Sequence, residues 1–181
     1  RTLQTPPRAP IAPDILPLPC PPIGQFPPQC PTIFPDVSCD FSLTGFIQTL
    51  NAPVIIGINP RTGIQTLSFA LCPQASPCNI RNSELRTEFQ LEADPHTGEP
   101  AETVVFESTF FNPVRNSTQA TGSGTFNGKI VSWTLGINSL GRGSSAQVTL
   151  DVRDSLTNTI EFIQTFIGDS IDDYILVDSC S

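Results

Sequence analysis

The chain has 181 residues, room for one domain of ordinary size or one domain with an appendage. Nine Lys+Arg against seventeen Asp+Glu give a formal net charge of −8, and Lys129 is the single lysine. That balance excludes a nucleic-acid surface, which needs clustered cations to displace counterions. No apolar run nears the roughly 20 residues of a membrane span.

Residues 1–38 read as an extended arm. Twelve of the nineteen prolines fall within residues 1–35. Proline lacks the amide donor and fixes φ, which rules out helix and central strand and leaves polyproline II. A plain linker is polar, but this arm carries Ile11, Ile15, Leu16, Leu18, Ile23, Phe26, Ile33 and Phe34, with Arg1, Arg8, Asp14 and Asp36 as its only charges. Such side chains need another surface to bury against. At about 3.1 Å per residue the arm reaches on the order of 100 Å, far beyond the roughly 15 Å radius of gyration of its own domain.

From 39 to 181 the pattern is β. Strands are expected at 40–50, 53–59 and 63–72, with a turn at Asn59-Pro60-Arg61-Thr62-Gly63 between the last two. Leu85, Thr87, Phe89 and Leu91 then alternate with Arg86, Glu88, Gln90 and Glu92, a period of two. Asp94-Pro95-His96-Thr97-Gly98 reads as a turn before a strand at 102–111. Asn127-Gly128 precedes a strand at 130–137, and Gly141-Arg142-Gly143 separates it from the alternation of Ala146, Val148, Leu150 and Val152. Strands at 159–167 and 172–179 complete the series. About nine short strands with turns between them predict an all-β, Ig-like β-sandwich or jelly roll behind a Pro-rich N-terminal arm.

The run from Gly124 through Trp133-Thr-Leu-Gly136, Leu140-Gly-Arg-Gly143 and on to Val152 resembles the conserved-repeat Ig-like domain of bacterial and archaeal cell-surface proteins. Phe111-Asn112-Pro113-Val114 stands where that family usually has Leu-Pro. The resemblance implies a surface-exposed structural or adhesive domain with no catalytic residues. The architecture, a cysteine-bearing arm ahead of a β body, is similar to the endospore-appendage filament subunits of Gram-positive bacteria. It implies arms that dock into other subunits and lock by intermolecular disulfides, with Cys20 and Cys30 as the arm cysteines.

Catalytic constellations are weak. His96, the lone imidazole, sits in turn composition, and Glu88 and Glu92 lie on the polar face of a strand, so no enzyme is expected. Asp169, Asp172 and Asp173 are weak calcium candidates without a Ca²⁺-loop spacing, and no cofactor is expected. Gly122-Ser123-Gly124 reads as a turn or bulge, and Trp133 as a core tryptophan.

Cys20, Cys30, Cys39, Cys72, Cys78 and Cys180 are spaced for disulfides rather than zinc. Fifteen pairings are possible. Cys72 and Cys78 are placed to close a local loop, and Cys39 and Cys180 to pair with each other or with arms of neighbours. The start at Arg1, without Met or apolar leader, fits a processed secreted chain or a trimmed one. Asn116-Ser117-Thr118 is a glycosylation sequon whose use depends on the source.

These features lead to the expectation of an extracellular, cell-surface structural subunit whose partners are copies of itself in a helical homopolymer. Its arm would dock by strand addition or groove binding, reinforced by disulfides. The alternative is an Ig-like adhesion module with the arm as a stalk.

Overall fold

Alternation of buried and exposed side chains is regular over residues 84–91 and 146–152. In the computed structural model the described residues are 37–73, 78–138, 146–168 and 175–180, with only the backbone described at 51–52. The chain divides into two units, Arg1–Phe34 and Pro35–Ser181. All described residues belong to the second. The eight apolar arm residues, Cys20 and Cys30 lie outside them.

The strands are β1 Phe41–Ile56, β2 Asn59–Leu71, β3 Glu84–Leu91, β4 Glu102–Phe111, β5 Gln119–Phe126, β6 Lys129–Asn138, β7 Ala146–Asp154, β8 Ile160–Gly168 and β9 Ile175–Ser179. Each strand from β1 to β7 pairs antiparallel with the next, and β8 returns to β1 through Val54↔Gln164, Ile55↔Ile163 and Ile56↔Phe162. The sheet therefore closes into an eight-stranded up-and-down barrel. β9 adds to the first half of β1, from Phe41↔Ser179 to Gly45↔Ile175.

The expected sandwich or jelly roll is thus overturned. A sandwich needs two stacked sheets, whereas here one sheet curls onto itself. Alternation is the same for the inner face of a sandwich and the inside of a barrel, so closure was not readable from it. β1 decides the matter. Its sixteen residues fuse the two strands expected at 40–50 and 53–59, with a register shift between Thr49 and Ala52. Such a bulge adds local twist and bend. One edge of β1 pairs with β2 along its length, while the other meets β9 and then β8. The β8 ladder stops at Val54, and the next residue, Pro53, has no N–H to donate.

Two further corrections concern turns. The β1–β2 connection is Gly57-Ile58, with Gly57 at φ +60°, and Asn59–Gly63 already runs inside β2. Gly122-Ser123-Gly124 lies within β5, a strand absent from the sequence expectation. A Cβ on Gly122 would collide with the Phe110 carbonyl oxygen and the Trp133 ring; one on Gly124 would lie 3.1 Å from the Phe106 ring. These positions are bare because aromatic rings lie over them. Asn127-Gly128 does form a two-residue hairpin turn, at φ +48° and +76°.

The barrel interior is packed with side chains. Phe162 lies at the centre of an edge-to-face cluster, 5.0 Å from Phe89, 5.1 Å from Phe126 and 5.6 Å from Phe106 between ring centroids. Trp133 is buried and donates from Nε1 to Ser108 Oγ at 2.7 Å. Leu43, Leu67, Leu85, Leu135, Val148 and Leu150 are among the residues that fill the remainder. This apolar inside is the inverse of a transmembrane barrel, which carries its apolar band outside and a polar lumen.

Candidate functional site

Strand direction sorts the loops onto two rims. The rim where β1 begins carries the chain entry at 37–40, the β2–β3 and β4–β5 connections and the chain end at Cys180. Cys39 pairs with Cys72 and Cys78 with Cys180. Neither the local Cys72–Cys78 loop nor a Cys39–Cys180 pair forms. The Cys39 N–H donates to the Cys78 carbonyl at 3.1 Å, and the Cys180 N–H to the Asp40 carbonyl at 2.9 Å. Ser38 bridges Asn79, and Asp40 meets Arg115 at 2.8 Å. At Cys39, then, the backbone is fastened covalently to Cys72, the residue that follows β2, and by a hydrogen bond to the loop at Cys78. The disulfides, with no helix among the described residues long and apolar enough to cross a membrane, are compatible with an extracellular protein.

The opposite rim bears a cavity of about 240 Å³ lined by Ile56, Asn59, Arg61, Glu99, Pro100 and Glu102. Arg61, buried and inward-facing, was expected in a turn. Its guanidinium donates to Glu99 Oε2 at 2.6 Å and to the carbonyls of Glu92 and Pro100 at 2.9 and 3.1 Å. Three bonds from one fork clasp the 92–101 loop over the barrel mouth. This is a structural clasp, and the cavity beside it presents no second buried polar group.

The carboxylates and the imidazole do not converge. Glu88 stands on the outer face of β3 among Arg86 and Gln90, whereas Glu92 lies beyond the strand end. His96 is exposed, its backbone N–H donating to Asp94 Oδ1 at 2.8 Å. That bond is the main reason the Asp94 carboxyl sits below its ordinary value. Asp154 is likewise lowered, first by the Thr157 N–H and then by that of Leu156. On the outer wall, Glu161 raises the Lys129 ammonium through a 2.6 Å contact. Asp169, Asp172 and Asp173 lie outside the described residues, among which no group of three or more His, Cys, Asp and Glu is placed to hold a metal. Asn116 is exposed, and its Oδ1 accepts from the Thr118 N–H and Oγ1, each at 2.9 Å.

Two inward polar side chains, Gln65 and Gln164, were not expected from the sequence, whereas Thr87 falls on the inward face that the period of two gives β3. The signal that places Gln164 inside was the period of two in β8, where it stands midway between the buried Phe162 and Phe166. No protein-family model, curated protein or solved structure matches the chain.

Proposed function

We propose that this chain is a structural subunit that assembles with copies of itself outside the cell into a filament, its N-terminal arm docking on neighbouring barrels. The observation that carries this reading is the fastening of the rim at the root of the arm. Load on the arm enters the barrel at Val37, two residues before Cys39, and the Cys39–Cys72 bond passes it to β2 before β1 can peel. Cys78–Cys180 pins the end of β9, the strand added beside β1.

The four barrel cysteines are engaged within the chain, so covalent links between subunits fall to Cys20 and Cys30. The packed interior leaves the outer surface as the place of interaction, and head-to-tail contacts that do not close produce fibres. Negative-stain electron microscopy of the full chain, with and without reductant, tests the reading. Filaments are expected, and the joint replacement Ile15→Asp, Leu16→Asp and Leu18→Asp is expected to abolish them while leaving the barrel's thermal transition intact. Dispersed particles from the unaltered chain at high concentration would sink the proposal.

A further inference from the structure

The sixteen residues of β1 include no charged side chain, and the single charge of β2, Arg61, points inward. The outer wall of this pair presents Thr44, Phe46 and Gln48 across from Ala70, Ser68 and Thr66. Phe46 is 54% exposed and Leu50 70%. Ile55 of β1, Ile167 of β8 and Leu176 of β9 are exposed as well. On the two strands that meet the other edge of β1, the only charges are Glu161 and Asp178. In contrast, the next strand beyond β2 alternates Glu84, Arg86 and Glu88 along its outer face.

Resting on the self-assembly reading, we infer that the wall over β1 and β2 is the seat of the arm, occupied by residues 9–35 of a neighbouring copy. Those residues carry one charge, Asp14, and the eight large apolar side chains named above, Ile11 to Phe34. Two surfaces with so few charges join with little ionic desolvation. Proline decides the mode. Ten prolines within 9–35 remove too many N–H groups for a ladder on a strand edge, so the segment lies as polyproline II across a face and binds through its side chains. The segment is long enough to cover the wall, since about 3.1 Å per residue gives about 80 Å, against about 50 Å for β1. Val37, which follows the arm in the chain, lies on the rim where β1 begins.

The test places the photo-reactive residue p-benzoylphenylalanine at position 46 of the full chain. Equal amounts of light and ¹⁵N-labelled protein are assembled, irradiated and mapped by mass spectrometry, with micrographs of the same sample. Mixed-label cross-links to peptides within 9–35 are the expected result. Cross-links confined to one label, or to barrel peptides, overturn the assignment. If filaments form with such cross-links, the wall assignment falls and self-assembly stands; if only dispersed particles are seen, both fall. As an independent arm of the experiment, Phe46→Lys places a charge on the exposed wall. It is expected to raise the concentration needed for polymer about tenfold with an unchanged thermal transition. Unaltered polymerisation would count against the wall.

Discussion

A hydroxyl has one proton to give, and Thr87 faces two acceptors inside the barrel. Its Oγ1 lies 2.9 Å from the Thr66 carbonyl and 2.6 Å from the Gln164 amide. Turning the Gln164 amide over, so that Nε2 rather than Oε1 faces Thr87, balances the protons: Gln164 then donates to Thr87, which in turn donates to Thr66. Thr87→Val should therefore strand a buried amide and cost about 1–3 kcal/mol, whereas Thr87→Val with Gln164→Leu should recover most of that loss. A double-mutant cycle in urea reads the difference. The Asx-type turns make a second prediction. The Asp94 and Asp154 carboxyls are depressed in the fold from an ordinary value of 3.8. Their stabilisation is complete above that value and is lost as pH falls through the lower folded values. Stability followed from pH 5 downward should decline, and Asp94→Asn with Asp154→Asn, which keeps an accepting oxygen in each turn, should flatten that part of the decline.

Elements carry a different lesson, because a strand can be built around what is missing from it. β5 is not among the strands expected from the sequence, where Gly122-Ser123-Gly124 reads as a turn or bulge. Yet the strand pairs with β6 over its whole length, from Gln119↔Gly136 to Phe126↔Lys129. Glycine there serves Trp133 and Phe106, on other strands, and nothing local announces them. Gly122→Ala is expected to cost about 1–3 kcal/mol through overpacking and to perturb the fluorescence of the single tryptophan. Gly136→Ala makes the control. A Cβ at that position meets nothing within 4 Å, so the change should be neutral or stabilise by up to about 1 kcal/mol. β1 shows the converse, since two short strands in the reading of the sequence are one long bulged strand in the barrel.

At the scale of the whole molecule, two disulfides close loops of very different size. Cys39–Cys72 spans 33 positions and Cys78–Cys180 spans 102. Chain entropy assigns about 4 kcal/mol to the first and about 5 to the second, less any native strain. Cys78→Ser with Cys180→Ser is thus expected to cost somewhat more than Cys39→Ser with Cys72→Ser. It should also raise amide exchange in β9 and in the first half of β1, which β9 covers. Denaturant titration and hydrogen exchange check both statements.

What the sequence by itself determined is local. Side-chain period sets the strands and their inward faces, as Leu85 to Leu91 in β3 and Ala146 to Val152 in β7 show. Asn127-Gly128 chooses its own turn. Closure, cysteine pairing and the roles of Arg61, Gln164 and Gly122 were decided by tertiary structure. Each depends on a partner distant in the chain: Phe162 meeting Ile56 across the seam, Cys180 meeting Cys78, Trp133 lying over Gly122. A sandwich and a barrel place the same residues inside. The choice between them rests on how far β1 twists and which strand its second edge accepts, which no short-range pattern encodes.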